Sequence, residues 1–112
     1  MPDLRNLLEN LPARSADEIV TGLLTHSGVR IEHIVSTGQA TPANAPYIQP
    51  HDEWVLLLYG SAGLMIEAGE EHHLRPGDCL LIPANLCHWV TWTAKDTPTV
   101  WLAIHFPPQP AS

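Results

Sequence analysis

Proline and glycine punctuate this chain so often that no long helix fits within it. Eleven prolines and seven glycines are spread over 112 residues, leaving apolar segments of about four to eight residues between turn signals. From Val29 the period is two: Val29, Ile31, His33 and Val35 alternate with Arg30, Glu32 and Ile34. Residues 37–46, with Gly38, Pro42, Asn44 and Pro46, read as a loop. Strands are then predicted over 54–59, 64–68, 71–74, 79–82, 88–93 and 99–106. The turns between them are Gly60-Ser61-Ala62-Gly63, Gly69-Glu70, Pro76-Gly77-Asp78 and Pro83-Ala84-Asn85. Residues 19–24 suit a strand and a helix about equally. Leu4, Leu7, Leu8 and Leu11 have the spacing of one or two helical turns ahead of Pro12. The pattern predicts an all-β single domain: an N-terminal arm over 1–18, a β-barrel or sandwich over 19–106, and a loose Pro-rich tail over 107–112.

Charge narrows the function. Five Lys and Arg stand against twelve Asp and Glu, a formal charge of -7. That balance argues against nucleic acid, which needs a basic footprint, and against anionic membrane surfaces. With 45% hydrophobic and 15% charged residues the chain can bury a core. No apolar run approaches the ~20 residues of a spanning helix. Met1-Pro2-Asp3-Leu4-Arg5 lacks the order of a signal peptide, so a cytoplasmic protein is expected. Cys79 and Cys87 form no zinc-ligand or redox spacing and are expected to be free, buried thiols.

Two strands are apolar on both faces. Glu53, Val55, Leu57 and Tyr59 alternate with Trp54, Leu56 and Leu58. In the last strand Val100, Leu102, Ile104 and Phe106 alternate with Trp101 and His105. A wetted outer face would be polar, so the arm or a second subunit must cover it, and a homodimer is expected. Trp54, Trp89 and Trp101 are assigned to that outer surface.

The spacing resembles the cupin superfamily, specifically its small single-domain RmlC-like jelly rolls. Glu53-Trp54-Val55-Leu56-Leu57-Leu58-Tyr59-Gly60 matches the glutamate-to-glycine half of the first cupin motif. Gly77-Asp78-Cys79-Leu80-Leu81-Ile82-Pro83, then Ala84-Asn85-Leu86-Cys87-His88, matches the second. The departures are specific. Tyr47 and Gln49 stand where the first motif has histidines. Asn85 replaces a glycine, a position where left-handed backbone is tolerated. Trp92 stands where asparagine is common.

The resemblance implies a divalent transition metal in the barrel mouth, with iron, manganese, nickel and zinc all compatible with imidazole and carboxylate ligands. Glu53 and His88 keep ligand chemistry at the motif positions. Gln49 offers a weaker amide oxygen, and His51 becomes the additional ligand if the backbone stays extended through 47–53. Tyr47, Trp92 and His105 are candidates for the wall of a ligand pocket, Trp92 because it is in phase with His88 and Val90. His72 and His73 are adjacent on a strand, so they face opposite sides and read as solvated surface. His26 and His33 read as structural.

Two functions follow from the resemblance. One is a metal-dependent enzyme on a small organic substrate: a dioxygenase, isomerase, decarboxylase or lyase. The other is a metal-free, non-catalytic cupin that binds or senses a sugar or another small metabolite. With only Arg5, Arg14, Arg30, Arg75 and Lys95 as cations, a phosphorylated ligand has few anchors. A third reading, docking of another protein on the outer Trp face, lacks any effector domain to support it.

Overall fold

The computed structural model describes residues 4–108, and their regular structure is entirely strand. In order these are β1 (Ile19–His26), β2 (Val29–Ser36), β3 (Glu53–Tyr59), β4 (Ala62–Ile66), β5 (Glu71–Leu74), β6 (Cys79–Ile82), β7 (His88–Thr93) and β8 (Thr99–His105). They form two antiparallel sheets, a five-stranded one in the order β1-β2-β8-β3-β6 and a three-stranded one in the order β5-β4-β7. Residues 1–3 of the expected arm and 109–112 of the expected tail lie outside the described residues.

Residues 19–24 settle as strand because they lead into a tight hairpin. His26 pairs with Val29, leaving Ser27 (φ 51°) and Gly28 (φ 81°) as a two-residue loop. Two positive φ values give the turn whose twist matches its strands, and glycine meets that demand without strain. The helical turns expected in the arm do not form among residues 4–18. Leu4 is fully exposed and Leu8 is 47% exposed while Leu7 and Leu11 are half-buried, so the four leucines do not share one buried face. The arm is tied to β2 instead. His33 Nε2 donates to the Leu7 carbonyl at 2.9 Å, and Ser15 N donates to Thr37 Oγ1 at 3.0 Å.

The core lies between the sheets and is built from Val55, Leu57, Ala62, Leu64, Leu74, Ile82, Trp101 and Ala103. Trp101 therefore faces inward, at 4% exposure, and not outward as expected. Both faces of β8 are apolar, so alternation could not say which one looks in. Pairing decides it: Trp101 sits opposite Leu57, and its indole N–H reaches the buried Ser36 hydroxyl at 3.2 Å. Both cysteines are free, but Cys79 is exposed and Cys87 half-buried, against the expectation of buried thiols. At Gly60, φ is +86° and an added Cβ would lie 2.6 Å from the Pro98 carbonyl oxygen, so the motif glycine is required twice over. Asn85, at the second motif's glycine position, has φ 66°.

Candidate functional site

Alternation along β3 turns Glu53, Val55 and Leu57 inward, and the antiparallel register places Glu53 opposite His105 on one side and Ile82 on the other. His88 begins β7 in the facing sheet. A short ladder carries residues 47–49 to it: Tyr47 N donates to His88 O and His88 N to Tyr47 O, both at 2.9 Å, and Asn85 N donates to Gln49 O at 2.7 Å. Tyr47, Gln49, Glu53, His88 and His105 thus converge on one cavity of about 180 Å³ between the sheets. Its apolar wall includes Ile34, Val55, Leu64, Val90 and Trp101.

The polar groups here are buried. Glu53 is 8% exposed, His88 5% and His105 7%. Gln49 Nε2 donates to Glu53 Oε1 at 2.6 Å. His88 Nε2 lies 3.9 Å from that same oxygen, and His105 Nε2 lies 3.9 Å from Glu53 Oε2, both too far for a direct hydrogen bond. His105 Nε2 instead meets Glu32 Oε1 at 3.0 Å, and Glu32 Oε2 meets Arg30 Nε at 3.3 Å. With Nε2 donating to Glu32, a neutral His105 accepts at Nδ1 from His51 Nε2, 2.9 Å away. Burial holds the His51 imidazole below its ordinary pKa, helped by the facing His105 and by Arg30 and opposed by Glu53 and Asp52. Burial likewise raises the Tyr47 phenol, with Glu18 and then Glu53 adding to the shift. The Tyr47 and His88 rings stack at 5.6 Å.

Two expected site residues do not join the cavity wall. Beyond Gln49 the chain is irregular through Pro50–His51–Asp52, and the Asp52 side chain accepts from Ala84 N at 2.8 Å. The assumed extended parity is lost there, and His51 approaches His105 from outside the lining. Trp92 is turned away by a bulge. Gly63 pairs with Trp92 but Leu64 pairs with Val90, so Thr91 is an extra residue that breaks the period of two. Val90 faces the cavity, whereas Trp92 meets the exposed His73 edge-on at 5.7 Å, over the bare Gly63 that pairs with both.

Besides the aliphatic wall, sequence reasoning missed three charged or aromatic lining residues: Glu18, Glu32 and Trp101. Glu32 is in phase with Ile34, which also lines the cavity, but only the pairing of β2 with β8 brings it to His105. Trp101 shares the parity of His105, a signal that was available. Glu18 precedes β1, and its place in Ser15-Ala16-Asp17-Glu18 resembles a helix capping box, which points away from a cavity role.

The donors do not make a resident metal centre. Among the described residues no group of three or more His, Cys, Asp or Glu side chains is placed to hold a metal ion. Both nitrogens of His105 are engaged, and the Gln49 amide nitrogen, which is no ligand, faces Glu53. Glu53 and His88 remain, one short of the three protein ligands that usual catalytic sites provide.

The cupin-domain family model matches residues 33–105. The chain belongs to the cupin family, and its fold is the cupin jelly roll. A crystal structure from Ralstonia eutropha JMP134, named "putative mannose-6-phosphate isomerase", is 44% identical, with a TM-score of 0.91 over 95% of this chain and 99% of that one. A cupin superfamily protein from Desulfitobacterium hafniense DCB-2 aligns at 22% identity and TM-score 0.75 over 96% of this chain and 94% of that one. An RmlC-like cupin with a double-stranded β-helix fold from Methanocaldococcus jannaschii aligns at 18% and 0.68, over 88% and 87%. These last two are likenesses of fold alone. Among curated proteins none matches the sequence. No helix of the described residues is long and apolar enough to cross a membrane.

Proposed function

We propose that the cavity binds a small polyhydroxylated organic molecule, held by Glu53, His88, Gln49 and Tyr47 without a resident metal. The observation that carries this reading is the 3.9 Å gap between His88 Nε2 and Glu53 Oε1. His88 Nδ1 donates to the Leu86 carbonyl at 3.4 Å, which leaves Nε2 of the neutral ring as an acceptor. Two neighbouring ligand hydroxyls can enter the gap, one donating to the Glu53 carboxylate and the other to His88 Nε2, so a polyol satisfies both. The aromatic and aliphatic wall shields the carbon skeleton, the usual division of labour in small-molecule pockets.

The name of the 44% identical relative favours a second reading, isomerisation of a sugar. The same pair suits it: the Glu53 carboxylate can take a proton from one carbon and return it at its neighbour, while His88 Nε2 holds an adjacent hydroxyl.

Metal content of untagged protein, measured by plasma mass spectrometry, tests the metal-free reading. Less than about a tenth of an equivalent is expected, not restored by added metal. Near-stoichiometric iron, manganese, nickel or zinc that vanishes in both His88→Ala and Glu53→Ala would overturn it. Calorimetry with neutral sugars and turnover assays on the same preparations then separate binder from isomerase.

The outer face of the five-stranded sheet supports self-association. The register lines up Ile31, Ile104, Trp54 and Leu81 in one row across four strands, with Leu102 and Leu56 in the next. Leu81 is 48% exposed. We take this face as the homodimer surface; sedimentation at micromolar concentration should give a dimer, and Leu81→Glu should give monomers.

A further inference from the structure

The cavity does not end at Tyr47. A second hollow of about 340 Å³ adjoins it, sharing a wall of Glu18, Val20, Tyr47 and Val90 and adding Asp17 and Gln39. Glu18, Glu32 and Glu53 face the inner cavity and Asp17 and Glu18 the outer one, while neither is lined by a lysine or arginine. Arg30, beside the inner cavity, is already paired with Glu32. Arg14 and Lys95 open on a separate surface hollow that shares only Gln39 with the outer one.

Glu18 is built in, not merely nearby. Trp101 Nε1 donates to Ser36 Oγ at 3.2 Å, and Ser36 Oγ donates to Glu18 Oε2 at 2.6 Å. Ser36 is fully buried, so its single proton is committed to the carboxylate and its lone pair to the indole. One Glu18 oxygen is thereby fixed where the two hollows meet, and the other oxygen is left without a protein partner among the described residues. Independently, His88, 95% buried by its 5% exposure, presents an Nε2 with no hydrogen bond to the described residues into the same space. A polar ligand group is wanted at one end, and a positive one at the other.

We propose that the two hollows form one continuous site for an amine-bearing polyhydroxylated molecule, its hydroxyls at Glu53 and His88 and its ammonium on Glu18. This rests on the reading that the cavity binds a polyol, and sets its charge class. An ammonium donates a charge-assisted hydrogen bond to Glu18, whereas a phosphate meets the carboxylates of Asp17 and Glu18 with no cation in the lining to offset them. The preference is opposite to the anionic sugar in the name of the relative.

The test is isothermal calorimetry with three matched probes: glucosamine, glucose and glucose 6-phosphate. Glucosamine should bind at least about tenfold tighter than glucose, and glucose 6-phosphate more weakly than either. Glu18→Gln, whose amide oxygen still accepts from Ser36, should bring the ratio of glucosamine to glucose affinity down to about one. Asp17→Asn should lower the preference for glucosamine in the same direction, by a smaller factor, and it tests the site even if Glu18→Gln fails to fold. Glucose binding as well as glucosamine, or glucose 6-phosphate binding best, would overturn the charge assignment and leave the polyol reading standing. Binding of none of the three would overturn both.

Discussion

Two glutamate–histidine pairs in this molecule use the same chemistry to opposite ends. On β5, Glu71 and His73 share the outer face of the three-stranded sheet and touch at 2.6 Å, with side-chain exposures of 36% and 69%. Between the sheets, Glu53 and His88 stand 3.9 Å apart, with side-chain exposures of 10% and 6%. The pair in contact satisfies itself, and water competes for what remains. The separated pair holds two desolvated groups that the protein leaves unjoined, which is the arrangement a ligand completes. Burial and a gap, more than proximity, distinguish a site from a surface ion pair.

The largest test of that contrast is to remove each imidazole. His88→Ala should weaken glucosamine binding by about 30-fold or more, roughly 2 kcal/mol, while His73→Ala leaves it unchanged. Calorimetry reads both, and equal effects would erase the distinction. Glu53→Gln sharpens it. The new amide can still bond Gln49, so stability should stay within about 1 kcal/mol while affinity falls at least tenfold. A variant that folds normally and does not bind places the carboxylate in recognition and not in support of the fold.

The fold was readable because its signals are local. Positions of turn residues and the period of two place β2 to β8 within a residue or two, and the motif spacing of Glu53, Gly60, Gly77 and His88 carries the family. The site was half readable. Tyr47, Gln49, Glu53, His88 and His105 come together as motif and parity suggest, since each lies in strand or in the short ladder to β7. Trp92 escaped because a one-residue bulge at Thr91 has no signature in a run of β-forming residues. Glu18 and Glu32 escaped because which strands pair, and in which register, is a tertiary fact.

The three-stranded sheet ties its surface pair to one more residue. Thr91, at the bulge, has a buried hydroxyl, and Glu71 is held below the ordinary carboxylate value first by that hydroxyl and then by His73. Thr91 lines neither hollow, so it serves the surface pair and not a ligand. Thr91→Val removes the donor and should let the Glu71 pKa rise toward its ordinary value in an NMR titration, with glucosamine affinity unmoved. An unchanged titration would mean that the hydroxyl does not act on the carboxylate, and this half of the contrast between the two regions would fail.

The smallest effect is a pH signature on the interior side. His51 stands against His105 at the back of the cavity, and burial together with that neighbour holds its imidazole below the ordinary value. The unfolded chain therefore takes up this proton more readily than the folded one. Below about pH 6.5, where an unfolded histidine begins to charge, stability present at neutral pH must be lost as the pH falls through the lower folded value. His51→Gln keeps a donor for His105 Nδ1 and removes the titration. Urea unfolding between about pH 7 and pH 5 should show free energy falling with acid in the wild type and falling less steeply in the variant. Identical slopes would mean that His51 is solvated in both states. The His51–His105 contact would then be no part of the buried network that sets the interior pair apart from Glu71 and His73.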